Sequence, residues 1–442
     1  MRQSSIMAIA LASITVVPAM AQQVAGKKVW TLKDCVTYAV ENNLEIKRME
    51  QSCQSSDIQV ENAKYQYLPS VSAYANQGFD FGRGLTSNNT YANRNTRNTS
   101  LGLSAQMTLF EYGRAAQKRA AQFSLDAALA DLENAKDDIG IAVARAYLQV
   151  LYSKDMVEVN KKQLELSELQ LQQKELQVNQ GRAAESDVYQ AKSRVASDKM
   201  ALVKAQNDYE LAILDLSQQL ELPSPDGMEV ETPSVDLLKL SPTSPEQIYA
   251  EALLCRDDIK AAQYREQSAQ ETIDAAKGGH IPTLSLSGGV NTSAVSVSGY
   301  DNADYSKQFK DHLDKQVSLS LSIPIFSRFS TTNRVKSAKI DRASYALAID
   351  QAKKTLYKEI QQAYYNATSA QAQYDASVTA QEAAKEALEM QSKKFSAGRI
   401  TQTEYNEALN SWTKAEADLV QAKYSFAFAV KILDFYRGAE MQ

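Results

Sequence analysis

The chain has 442 residues, 44% of them hydrophobic, and a formal charge of −5. It can bury a large core, and its acidic balance argues against nucleic acid as a partner. Three cysteines (Cys35, Cys53, Cys255) do not make a disulfide framework, two distant histidines (His280, His312) do not make a metal site, and no Walker, G-x-S-x-G or H-E-x-x-H motif occurs, so neither an enzyme nor a cofactor is expected.

Residues 1–21 read as a secretory signal: Arg2 is the positive end, Ile6 to Val17 the apolar run, and Ala19-Met20-Ala21 places cleavage after Ala21. A first unit spans 22–222. It opens with a helical stretch, Val24 to Glu50, and then changes period. Leu68 to Gln77 alternates weakly, while Leu101, Leu103, Ala105, Met107 and Leu109 alternate cleanly with Gly102, Ser104, Gln106 and Thr108. This predicts a strand pair over about 68–110, joined by a polar segment, Asp80 to Asn98, expected to be structureless. From 114 to 221 the period becomes helical, with Leu125, Ala128, Leu132, Ala135, Ile139, Val143, Ala146 and Val150 recurring at three and four. Gly181, before Arg182, fits the left-handed residue that turns one helix back on another.

Residues 223–245 are a proline-rich linker, expected to pack with Val24–Glu50 as an equatorial belt. The second unit, 246–442, repeats the plan. Ser244-Pro245-Glu246-Gln247 starts a helix. A strand pair over about 282–326 sets Leu284, Leu286 and Val290 with Val317, Leu319, Leu321, Ile323 and Ile325, across a second long polar segment, Thr292 to Gln316. A hairpin over 328–434 carries the stripe Leu356, Ile360, Ala363, Ala367, Ala370 and turns at Gly398-Arg399. An offset of 213 aligns Ala63, Lys64, Pro69 and Ser72 with Ala276, Lys277, Pro282 and Ser285, and an offset of 217 aligns Gly181-Arg182 with Gly398-Arg399. The chain is two copies of one large supersecondary unit.

No stretch has the roughly 20 apolar residues of a membrane-spanning helix, so insertion, if it occurs, uses strands in a closed barrel. Four strands cannot close one, since the smallest spanning barrels use eight. Copies of the chain must share it. The helices, on the order of 100 Å long, then hang from one end of the barrel. A secreted coiled-coil scaffold or adhesin is the rival reading, and it leaves the period-two segments unexplained.

The Ala-Lys-x5-Pro-Ser/Thr-x-Ser segments (Ala63 to Ser72, Ala276 to Ser285), with Gly181 to Ala191 and Gly398 to Ala408, resemble the TolC family of outer-membrane efflux proteins. The resemblance covers the whole mature sequence. It implies an α+β membrane protein: a homotrimer whose twelve-stranded barrel, four strands per chain, continues into an α-helical periplasmic tunnel. It implies a passive exit duct of a tripartite efflux or type I secretion system, docked at Gly181, Arg182, Gly398 and Arg399 to a periplasmic adaptor and an inner-membrane pump. The cargo stays open among drugs, metal ions and proteins, with drug export the default. The resemblance also implies a gate at the tip, in which Arg399 pairs with Asp187. Glu404 and Glu407, at i and i+3, share a helix face and in a trimer would form two carboxylate rings. Two departures stand out: the family often has Asp at these ring positions, and Phe395 occupies a site where Tyr is common.

Overall fold

The computed structural model describes residues 28–85, 89–93, 95–232 and 243–439. The signal segment, its cleavage site and linker residues 233–242 lie outside the described residues. The first unit runs β1 (Lys28–Trp30), α1 (Leu32–Asn42), α2 (Leu44–Tyr65), β2 (Ser70–Asp80), β3 (Arg83–Leu85), β4 (Tyr91–Asn93), β5 (Thr96–Phe110), α3 (Gly113–Asn179), α4 (Glu185–Gln219) and β6 (Met228–Val230). The second runs α5 (Pro245–Cys255), α6 (Asp257–Lys277), β7 (Thr283–Val297), α7 (Tyr305–Asp311), β8 (Asp314–Ser322), α8 (Ser330–Ser396) and α9 (Gln402–Tyr436). The repeat is metrically close: α3 and α8 both have 67 residues, and α4 and α9 both have 35.

The four long strands form one antiparallel sheet in the order β2-β5-β7-β8. Its register sets Leu103 opposite Val290, Met107 opposite Leu286, and Leu286 opposite Leu319. Facing residues share a side, so one face is apolar and the other small and polar. Val317, Leu319 and Leu321 are 83%, 63% and 60% exposed on the apolar face. On the polar face Ser72 and Ser104 share a hydrogen bond of 2.9 Å. The edges, β2 and β8, have no outer strand neighbour among the described residues.

Three strand-level expectations are corrected. Ile323 and Ile325 lie beyond β8, which ends at Ser322, because Pro324 has no N–H to continue the ladder. The segment Asp80 to Asn98 is not structureless: it carries the β3–β4 hairpin, and β5 already begins at Thr96. Nor is Thr292 to Gln316, since β7 extends to Val297 and α7 forms in the connection. There, side chains supply what a strand neighbour would. Asn302 bonds both the N–H and the C=O of Val297 (2.8 and 2.9 Å), and Gln308 accepts from the Val295 N–H (2.8 Å).

Below the sheet, backbones meet closely at the α3 and α6 ends. A Cβ on Gly113 would lie 2.8 Å from the Ala275 carbonyl oxygen, and one on Gly278 would lie 2.9 Å from the Gly113 nitrogen. The core sits farther down the helices. Cys35, Ala39, Val143, Tyr147, Val150, Leu151 and Leu216 form one cluster, and Ile248, Ile259, Leu356, Ile360, Ala367 and Leu433 another. Short parallel strands β1 and β6 seal the first, with the Tyr147 hydroxyl donating to the Glu231 carbonyl at 2.6 Å. Trp30, Cys35, Met228 and Val230 thus bring β1, α1 and β6 into one cluster with α3. Ser244 caps α5 with Pro245 in its first turn, as the sequence requires. Of the thiols, Cys35 and Cys53 are buried and Cys255 is exposed.

Candidate channel tip and gate

Both hairpins turn by the same hydrogen-bonding motif. The Arg182 N–H donates to the Gln177 carbonyl and the Gly181 N–H to the Val178 carbonyl, each at 2.8 Å; Arg399 to Lys394 and Gly398 to Phe395 repeat this at 2.9 Å. The glycines have φ of +69° and +68°, where a side chain is strained. This is the Schellman ending, whose left-handed residue is normally glycine.

The return helices start differently. Thr401 caps α9 in a reciprocal box: its hydroxyl accepts from the Glu404 N–H (3.3 Å), and Glu404 Oε2 accepts from the Thr401 N–H (2.7 Å) and hydroxyl (2.8 Å). These bonds, led by that from the Thr401 backbone, lower the pKa of Glu404. Its carboxylate is therefore folded back on its own helix end. Glu407, one turn on, is exposed. Helix α4 begins at Glu185, and its N-cap residue, Ala184, supplies no side-chain cap. Asp187 in its first turn is half-buried, Arg182 and Arg399 are exposed, and no ion pair joins Arg399 to Asp187 within the chain among the described residues. Phe395 stacks on Tyr405 at 5.0 Å, with Lys174 Nζ 5.3 Å from the Phe395 ring centre. Neither Tyr405 nor Lys174 was singled out by the sequence.

Above the turns, a polar chain crosses three helices. Arg194 of α4 donates through Nε to Asp198 Oδ2 (3.0 Å) and through Nη2 to Asn410 of α9. Gln163 of α3 donates to the same Asp198 oxygen (3.3 Å) and accepts from the Thr413 hydroxyl of α9. Asp198 and Gln163 are 7% and 4% exposed. Sequence reasoning missed this set. Its one signal is a polar stripe on α9, where Gln402, Asn406, Asn410 and Thr413 recur at three and four.

A second charged node lies at the equator. Arg256, at the α5–α6 joint, donates to Asn134 Oδ1 (2.9 Å) and Asp258 Oδ1 (3.2 Å), stands 3.9 Å from Asp137, and lies over the Phe435 ring. Burial alone would lower its guanidinium, but Asp258 and Asp137 hold the pKa above its ordinary value. Burial pushes the Asp137 carboxyl up to about 6. At 3.9 Å no hydrogen bond offsets that desolvation, so the attraction of Arg256 does not win at Asp137.

Against known proteins, the profile described as "Outer membrane efflux protein" matches residues 36–220 and 248–439. The chain belongs to this family. It is 22% identical over 400 residues to outer membrane efflux protein BepC of Brucella suis, covering 90% of this chain and 83% of that one. To the cation efflux system protein CusC of Escherichia coli K12 it is 24% identical over 360 residues, covering 78% and 74%. Solved structures agree on the fold. CusC superposes with a TM-score of 0.77 at 19% identity over 96% of each chain, and the Campylobacter jejuni CmeC outer membrane channel with 0.78 at 18% over 93% and 86%.

Proposed function

We propose that the chain is the passive exit duct of a tripartite efflux or type I secretion system. Three copies would pool their four strands into a twelve-stranded barrel, and the six hairpins would line one periplasmic tunnel. The observation that carries this is the matched pair of hairpins, 67 and 35 residues in both units, ending in the same glycine turn below an edge-open sheet. Helices of roughly 100 Å suit a span between two membranes. The reading requires an inner-membrane pump to supply energy, reached through an adaptor that meets the turns. The chain would leave the cytoplasm by the Sec route, with cleavage after Ala21. A secreted scaffold gains no support, because it offers no use for the lipid-facing rows.

In this reading the tip is also the gate. Arg399 and Asp187, unpaired with each other inside one chain, would meet across neighbouring chains, and Glu407 would line the narrowing. Glu404, held by Thr401, would add charge to it without reaching as far. The adaptor half of the proposal is tested with Gly181→Val and Gly398→Val, which force a β-branched residue to positive φ. The expected outcome is a trimer that still assembles but no longer co-purifies with its adaptor. Normal co-purification of both variants would remove the turns from the contact.

A further inference from the structure

The position of α7 follows from strand register. Leu103, Val290 and Lys315 lie in one row across the sheet; two residues farther out lie Leu101 and Thr292, then Thr99 and Ala294, then Phe79, Arg97 and Ser296. All of these are on the lipid-facing side, because they continue the alternation of Leu286, Leu319 and Leu321. It is on this side that α7 is held. The Thr292 hydroxyl donates to the Phe309 carbonyl at 2.7 Å, and Ala294 is fully covered. Gln308 and His312 also bond the β7 edge, at Val295 and Ser293. The helix thus sits outside the barrel, at the end away from the tunnel, where the apolar rows stop.

This outward ledge is basic and aromatic. The Arg97 guanidinium lies 5.9 Å from the Phe79 ring centre and 5.7 Å from that of Tyr305. Arg97 is exposed, as are Lys307 and Lys310 on α7 and Lys315 at the top of β8. Nearby carboxylates offset this only in part. Asp304 is turned to the start of α7, where it accepts from the Ser306 N–H at 3.1 Å; Asp314 faces Asn291 in a row on the polar side; Asp311 on α7 and Asp301 in the connection before it are exposed. Aromatic rings with cations directly above an apolar band fit a lipid whose headgroup carries phosphate: the rings lie at headgroup depth, the guanidinium and ammonium groups bind phosphate, and the acyl chains meet Leu101 and Leu103 below.

We infer that α7 and the strand ends beneath it form a binding ledge for the phosphorylated headgroup of an outer-leaflet glycolipid. The inference rests on the barrel placement proposed above. It is tested on the detergent-extracted full chain by native mass spectrometry, with a bisphosphorylated lipid A-type glycolipid and its dephosphorylated form as probes. The expected result is retention of the phosphorylated lipid over the dephosphorylated one. In Arg97→Gln/Lys307→Gln/Lys310→Gln, affinity should fall on the order of a hundredfold, given roughly fivefold per basic residue near a lipid surface. Equal retention of the two lipids by the natural chain overturns the inference without any substitution. So does undiminished binding by the triple variant, or displacement of the lipid by an equal concentration of inorganic phosphate, which would mark a site for soluble anions. A chain that stays soluble without detergent would instead sink the barrel placement itself.

Discussion

The same two hairpins are packed by different chemistry at the equator and near the tip. At the equator the helix seams are apolar: Val143, Val150, Leu151 and Leu216 are fully buried in one unit and Ile360 in the other. Each side chain of that kind contributes about 1.5–3 kcal/mol by burial. Nearer the tip, buried apolar residues such as Leu409 and Tyr405 share the seam with polar ones, Gln163 bonded to Asp198 and Gln402 to Gln170, each hydrogen bond having a net value of about 0.5–1.5 kcal/mol. Several buried groups there, among them Gln391 Oε1 and Trp412 Nε1, have no partner within the chain among the described residues. A duct needs a waist that holds and an end that can rearrange. The contrast teaches how one helix pair would supply both in the proposed duct, by changing its seam residues rather than its backbone.

Variants in the two seams should therefore separate stability from conductance. The largest stability effect is expected at the waist, where Leu151→Ala should cost about 2–5 kcal/mol by emptying a fully buried site. Thermal unfolding should register the loss while resting single-channel conductance stays unchanged. At the tip seam, Asp198→Ala removes the acceptor shared by Gln163 and Arg194, for an expected cost of about 1–3 kcal/mol. Here conductance should rise. A rise in the waist variant but not in the tip variant would break the comparison.

The smallest effect concerns pH. The folded-state pKa of Asp137 is raised from 3.8 to about 6, so the folded chain holds a proton that the unfolded chain has released between those values. Stability is thus expected to fall as pH rises from about 4 to about 6 and to level off above. Asp137 is 43% exposed, and solvent screening reduces the loss to about 1 kcal/mol. Asp137→Asn should flatten the profile across that window and be the more stable form at pH 7, as read from melting temperatures. An unchanged profile would place the proton elsewhere in the Arg256 node.

What the sequence disclosed was local. The lengths of α3, α4, α8 and α9 follow from uninterrupted 3.6-residue periodicity, and the turns from single glycines, which take φ near +69° and +68° at least cost. The alternation of Leu101 to Leu109 and Val317 to Leu321 was enough to find the sheet. Contacts between distant elements were not legible. Nothing adjacent in sequence couples Arg194 to Asn410, 216 residues apart, or Gln308 to the β7 edge. At Glu404 the sequence holds a local signal as well, since Thr401-Gln402-Thr403-Glu404 is a capping box, and its carboxylate bonds its own helix end. Arg399 and Asp187 illustrate the other limit: the pairing proposed for them runs between copies of the chain, which one chain's periodicity does not describe.

The most direct test of the duct is single-channel recording of the reconstituted full-length protein, comparing the natural chain with Arg399→Ser and with Glu404→Gln/Glu407→Gln. A tip-gated channel predicts low resting conductance in the natural chain, higher conductance in Arg399→Ser at an unchanged melting temperature, and weaker cation preference in the double variant. Resting conductance unchanged in the first and selectivity unchanged in the second would contradict a gate at these residues, and the absence of any conductance in all three would contradict the channel.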